Sequence, residues 1–438
     1  MTRELRVLRG LAAQHPHQAY TILTRSVIPK WRFVMRSTDV PPSVFEPLEE
    51  ALQENFFLPA LGWRADETLL RRRCALPARL SGLGIPLPTE MAKQEKEAAL
   101  AGVSDLCEAI MRQDKAYVQD RQALSMKRHA ARAKREELQT QDARELLKLL
   151  SGRSRKALEE ALDVGNGFDW LSHAPLDHLG LSVDRQTFRD AIALRMGVPL
   201  PDPLPDYCPS CGAPFDIAHA LKCKSGDWVR RRHNEVAQTW MTLFKRISPT
   251  VQPEPHLAAP VDLKRPTTSR KIGARADIFV TGLARRGQGT FLDVAVLDTG
   301  AECHVDRKAL QVLQDKERRK RDKYEERAQL SGATFVPLVC SIYGTLAPEA
   351  AAALASTVGK LDEGNAEKRS TGRMLRVSLQ ISILKATSLC IRSRSMTEPP
   401  QVGETPDLEA DCAVAHADAR PLSEDGLVAS RGAAAAGF

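Results

Sequence analysis

Four side chains with metal-binding chemistry fall within sixteen residues of each other. The stretch CPSCGAPFDIAHALKC holds Cys208, Cys211, His219 and Cys223 in the pattern Cys-x2-Cys-x7-His-x3-Cys. Two thiolates two residues apart grip one ion from a single turn, and a His and a Cys four residues apart share one face of a helical turn. The four groups can therefore close a tetrahedron, the arrangement Zn²⁺ takes in structural sites. With four protein ligands and no open position, the expected role of the zinc is structural. A second constellation is acidic: Asp277 stands in RADIFV and Asp293 in FLDVAV. A carboxylate among β-branched residues is costly unless paired or metal-bound. Two of them on adjacent strands can converge on one divalent cation, with Glu235 and Glu254 available to complete an oxygen shell of the kind Mg²⁺ prefers. A metal held this way activates water and neutralises charge building on a phosphodiester during hydrolysis. Nuclease sites of this kind usually place a lysine two residues after the second acid, and that position is Ala295. Lys316, Lys320 and Lys323, in KERRKRDKYEER, lie about one turn apart and are the alternative source.

These residues need particular elements to position them. WVRRRHNEVAQTWMTLFKRI reads as an amphipathic helix, TVQPEPHL as a short extended segment, and ARADIFVTG and TFLDVAVLD as strands joined by an RRGQG turn. KALQVLQDKERRKRDKYEERAQL reads as a helix and TFVPLVCSIYG as an apolar strand, which gives the order α-β-β-β-α-β. A further helical pair follows. Upstream, residues 1–115 read as helices broken by proline turns, with LPARLSGLGIPLP as a glycine- and proline-punctuated turn. Residues 116–205 read as a charged helical spacer and linker, 206–226 as the knuckle, 227–394 as the α/β domain, and 395–438 as a disordered tail rich in Pro, Gly, Ala and acids.

The chain of 438 residues is long enough for several domains, each with its own core. A formal net charge of +8, with Arg and Lys in runs, points to an anionic polymer, nucleic acid ahead of a membrane surface. The RRRHN run, Arg230, Arg231, Arg232, His233 and Asn234, and Arg275 beside the first strand acid are the candidate contacts. Nine cysteines, six of them scattered singly, argue for free thiols and one metal cluster in a reducing compartment. The N-terminus has no apolar signal-peptide core, and no stretch approaches eighteen uncharged apolar residues, so an intracellular protein without a membrane span is expected.

HALKC, RRRHNE, EPHL, RADIFV, FLDVAV and KRDKYEER together resemble the C-terminal region of non-LTR retrotransposon polyproteins that carry a restriction-like endonuclease. QAYTILTRSVIPKWRFVMRS and LPARLSGLGIPLP resemble the segment that follows the palm of their reverse transcriptases, and the resemblance spans most of residues 10–394. It implies a multidomain chain: an α-helical thumb-like region, a CCHC zinc knuckle, and a restriction-endonuclease-like PD-(D/E)XK domain. It further implies that the nuclease nicks target DNA and that the freed 3′ hydroxyl primes reverse transcription of the element's RNA, in the nucleus of a eukaryotic host. Carried over by position, Cys208, Cys211, His219 and Cys223 match the knuckle, Asp277 and Asp293 the metal-binding acids, Lys320 and Lys323 the displaced catalytic lysine, and Arg232, His233 and Asn234 the motif preceding the core, which contacts DNA or braces the site. The chain departs from the family in three places. Ala276 replaces the proline before the first acid, His219 and Cys223 are one residue closer than the common spacing, and no polymerase acid motif occurs. A truncated element copy, working with a polymerase-competent element protein in trans, is the corresponding expectation. The alternative is a catalytically dead remnant that holds nucleic acid through its knuckle and basic helices.

Overall fold

The computed structural model describes residues 1–118, 120–257, 274–361 and 365–393, with 365–369 as backbone alone. The expected tail, 395–438, lies outside the described residues. The chain is mostly helical, with one small mixed sheet.

The N-terminal region is a helical layer. It contains α1 (Thr2–Gln14), α2 (Pro16–Ile22), α3 (Ile28–Ser37), α4 (Glu46–Leu52), α5 (Thr68–Ala75) and α6 (Pro88–Met111). Apolar residues at helical spacing bury one stripe of several of these helices, as with Leu5, Leu8 and Ala12 in α1 and Ile28, Trp31 and Met35 in α3. The turn after α5 folds back on that helix, with the amides of Leu83 and Ile85 both donating to the Cys74 carbonyl. Gly82 is required there, since a Cβ at that position would lie 1.9 Å from the Leu76 carbonyl oxygen.

The stretch expected to be a spacer is one only in its first part. Helix α7 (Arg121–Leu149) is largely exposed. Helices α8 (Gly152–Asp163), α9 (Asp169–Ser172) and α10 (Arg185–Met196) are not: Ala157 and Leu158 of α8, Trp170 of α9, and Phe188 and Ile192 of α10 are all buried. Their apolar residues, diluted by charged neighbours in the sequence, close on other elements.

After the knuckle helix α11 (Ile217–Lys222), the order is α12 (Trp228–Lys245), β1 (Val251–Pro253), β2 (Ile278–Thr281), β3 (Gly289–Leu297), α13 (Ala309–Leu330) and β4 (Thr334–Ser341). The α-β-β-β-α-β reading therefore appears as a four-stranded sheet in the order β1-β2-β3-β4. The β1–β2 and β2–β3 pairs are antiparallel, and β3–β4 is parallel with α13 as its crossover. Side chains alternate between the two faces. Leu292, Val294, Leu338 and Cys340 face a core shared with Trp240 and Phe244 of α12, with α14 (Pro348–Lys360) and with α15 (Asn365–Arg392). Phe291, Ala295, Phe335 and Val339 face α13.

Helix α15 lies between the two cores. Leu375, Leu379 and Ile383 enter the sheet core, while Val377, Ile381 and Leu384 enter the N-terminal one. At 100° per residue these are opposite faces, which is why the helix is apolar all round. Its segment Ser370–Arg392 is long and apolar enough by composition to cross a membrane, but 67% of that apolar window is buried inside the protein.

Candidate metal centre and acidic site

The knuckle is built from a turn and a short helix. The Cys208 amide donates to the Ala213 carbonyl (2.8 Å), and the Gly212 amide to the Cys208 carbonyl (2.7 Å), with Gly212 at φ +71°. This tight turn brings Cys211 back toward Cys208. Asp216 caps α11, its carboxylate accepting from the His219 amide at 2.6 Å, and so places His219 in the first turn and Cys223 at the helix end. The ligand atoms of all four residues lie within 4.8 Å of one another. Tetrahedral zinc, with Zn–S near 2.3 Å and Zn–N near 2.0 Å, requires S···S of about 3.8 Å and S···N of about 3.5 Å. Cys211 Sγ is 3.8 Å from Cys223 Sγ and 3.3 Å from His219 Nε2. The donor set and its spacing fit one zinc-like ion.

The rear of the knuckle is part of a core. Cys208, Phe215, Ala220 and Leu221 pack with Phe168 before α9, Leu194 of α10, Ile342 after β4 and Ile391 of α15. Arg232 of α12, 6% exposed, donates through Nη2 to the Leu221 carbonyl at 3.2 Å. It braces the knuckle and is not free to reach nucleic acid. Arg231 stacks over Trp228, 4.7 Å from the ring centroid. Arg230, Asn234 and Arg275 are the members of the basic set on the surface, Arg230 pairing with Asp227 at 3.0 Å.

Asp293 is the fifth residue of β3 and Asp277 immediately precedes β2. The antiparallel register ends at Ile278 opposite Leu292, and the Asp277 amide also donates to the Leu292 carbonyl (3.0 Å), so Asp277 sits at the end of the β2–β3 ladder, near enough to Asp293 for the two charges to repel. Like charges held close together need cations to attend them. The cations come from two helices. Lys320 Nζ of α13 pairs with Asp293 Oδ2, and His233 Nε2 of α12 lies 3.1 Å from Asp277 Oδ1. The other Asp277 oxygen accepts the Val294 amide at 2.6 Å. Burial, followed by the Asp277 charge, raises the Asp293 carboxyl above the usual carboxylate range. The Asp277 hydrogen bond raises His233.

Two residues give this site a larger extent than the sequence suggested. His233, expected as a nucleic-acid contact or a brace of the site, joins the acids directly. Tyr324, which was not among the candidates, sits against them: its hydroxyl hydrogen-bonds Asp293 and accepts from Lys323 Nζ at 2.7 Å. Burial and the Asp293 charge push its pKa up to about 12. Its position directly after Lys323 was the signal, because the α13 turn that carries Lys320 inward carries Tyr324 with it.

The expected oxygen shell is not assembled. Glu254, at φ +45°, is exposed and pairs with Arg275 at 3.4 Å. Glu235 is two residues beyond His233, about 200° round the α12 surface from the face that meets Asp277. Among the described residues, the knuckle is the one group of three or more His, Cys, Asp or Glu side chains whose ligand atoms meet within reach of a single ion.

Helix α8 reaches the same domain through buried charges. Glu159 accepts the Ala309 amide at the start of α13 (3.3 Å) and the Lys156 ammonium (3.0 Å), and Lys156 also donates to the Arg307 carbonyl. Glu160 accepts from Thr299 Oγ1 after β3 and from Ser341 Oγ at the end of β4. These buried carboxylates were illegible in a stretch that reads as solvated helix.

The chain matches no protein-family profile and no curated protein.

Proposed function

We propose that this chain is a DNA endonuclease module of the restriction-like, PD-(D/E)XK type, derived from a non-LTR retrotransposon, which nicks target DNA by metal-assisted hydrolysis. The observation that supports it best is the proximity of Asp277, at the edge of β2, to Asp293 of β3, with Lys320 against the second acid, which supplies from α13 the lysine that position 295 lacks. Two neighbouring carboxylates suit Mg²⁺, which takes one or two carboxylates and leaves its other positions to water and phosphate. Burial first, and the Asp277 charge second, raise the Asp293 carboxyl, a cost that a bound cation would offset. Asp277 and Asp293 would hold the ion, whose contribution when bound is to activate water and screen the scissile phosphate. The Val294 amide and His233 fix the orientation of Asp277. Lys320, drawn onto Asp293 in the free protein, is within reach of a phosphate oxygen at the same place and stabilises the charge that develops there. Exposed Arg230 and Arg275 position the DNA backbone. In this reading the nick primes reverse transcription by an element polymerase supplied in trans.

The test is nicking of supercoiled plasmid in Mg²⁺ or Mn²⁺. The parent chain should nick, and Asp293→Asn should lower the rate by at least about 10²-fold while retaining DNA binding. Equal rates would sink the assignment. One observation favours a second reading, a nucleic-acid-binding remnant without catalysis: His233 and Lys320 already compensate both acids with protein cations. A parent chain that binds DNA but never nicks in either metal would establish that alternative.

A further inference from the structure

Glu95 of α6 is buried, its side chain 3% exposed, and three arginines from two other helices surround it. Arg36 Nε of α3 donates to Oε2 at 2.5 Å, Arg32 Nε of α3 lies 3.6 Å from Oε1, and Arg135 Nη2 of α7 lies 3.6 Å from the same oxygen. A single bidentate guanidinium satisfies a carboxylate. Three leave a surplus of two positive charges, and among the described residues none of these arginines pairs with a second carboxylate. Burial, together with repulsion from Arg135 and Arg36, holds Arg32 below the usual guanidinium range. The surplus is not enclosed: the three side chains are between 38% and 49% exposed. Neighbouring charges on the same helices are already closed in pairs of their own, Lys96 with Asp39 and Arg132 with Glu136. Phe33, 70% exposed, lies one turn before Arg36 on α3. Arg128 of α7, seven residues before Arg135, continues the basic face.

We propose that Arg32, Arg36 and Arg135, with Phe33 beside them, form a binding surface for a single nucleic-acid strand, separate from the acidic site. The guanidiniums take phosphates and the exposed ring stacks a base, the combination that holds single strands without reading sequence. Glu95 is the internal anion that keeps the three arginines together while the surface is empty. RNA and DNA strands share this chemistry.

The test measures binding of short fluorescent single-stranded DNA and RNA, and of a duplex of the same length, to the full chain carrying Asp293→Asn in Mg²⁺-free buffer. Binding is read without cutting, so the result is independent of whether the chain is a nuclease. The Arg32→Ala/Arg36→Ala double variant should weaken single-strand binding by about 10-fold or more and flatten the salt dependence by about 0.7 for each phosphate that is no longer neutralised. Phe33→Ala should weaken it by roughly 5-fold or more at unchanged salt slope, the value of about one stacked base. Glu95→Gln removes the competing internal anion and should tighten binding, whereas a purely structural cluster would leave binding unchanged and lower Tm. The two oligonucleotide arms tell RNA from DNA as the strand held. Should the double variant not fold, Phe33→Ala and Arg135→Ala carry the same comparison. Unchanged affinity and salt slope in folded variants, or a duplex bound at least as well as the single strand, would overturn the proposal.

Discussion

Two carboxylates held close together need cations, and Asp277 and Asp293 draw theirs from two helices on opposite faces of the sheet. The two candidate lysines are therefore unequal. On the proposed nuclease reading, Lys320→Met should abolish nicking to the same degree as Asp293→Asn and lower stability by about 1–3 kcal/mol, since the buried Asp293 loses its cation and keeps only the Tyr324 hydroxyl. Lys323→Met removes an ammonium that rests on the Tyr324 ring and hydroxyl, and should keep most of the activity. Plasmid nicking and thermal melts of the two variants check this, and equal losses would contradict it. Glu160 makes a separate prediction. It is fully buried, has hydroxyl donors at Thr299 and Ser341, and its pKa is raised from 4.5 to about 7, first by burial. The folded state therefore binds this proton more tightly than the unfolded chain does. Its contribution to stability falls as pH rises from about 4.5 to about 7 and is constant above that. Glu160→Gln should raise Tm at pH 8 relative to the parent, by up to about 3 kcal/mol in stability, with little gain at pH 5. Melts at the two pH values decide it.

At the scale of elements, α8 is the helix whose importance the sequence concealed. Glu159 caps α13 while holding Lys156, which in turn holds the Arg307 carbonyl. This contact holds the N-terminal end of α13, the helix that carries Lys320 to Asp293. Glu159→Ala should cost about 1–3 kcal/mol, the loss of a buried acceptor and cap. It should also reduce nicking without changing the zinc content, and normal activity with a lowered Tm would separate the two effects. The turn after α5 shows the opposite case. Its glycines and prolines mark the turn in the sequence, and the approach of the Leu76 carbonyl to Gly82 explains one of them. Gly82→Ala should destabilise the N-terminal core by about 3 kcal/mol or more, as overpacking against backbone does, and urea titration of that variant is the check.

The whole molecule is held by shared elements. Helix α15 serves both large cores, and the knuckle closes a third with residues from α10, the end of β4 and α15. The knuckle is thus a brace at a junction. Its rear is buried and Arg232 anchors it to α12, one residue before the histidine that meets Asp277. The purified chain should carry one zinc, and Cys211→Ser or a chelator should lower Tm by many degrees, since metal binding free energy is folding free energy in such sites. A chain that melts identically with and without metal would refute that role.

How much was legible follows from range. The Cys-x2-Cys and His-x3-Cys spacings, the alternation around Asp293 and the helical repeat of α13 are local, so the sequence determined the knuckle, the α-β-β-β-α-β order and the two acids. The partners of those acids depend on register and helix packing. The end of the β2–β3 ladder brought Asp277 near Asp293, the α13 crossover delivered Lys320 and Tyr324 instead of a lysine at position 295, and the same geometry left Glu235 and Glu254 outside. Burial is likewise a tertiary property. The charged residues of α8 and Glu95 of α6 resemble solvated helix faces in one dimension, because only their neighbours in space take them out of water.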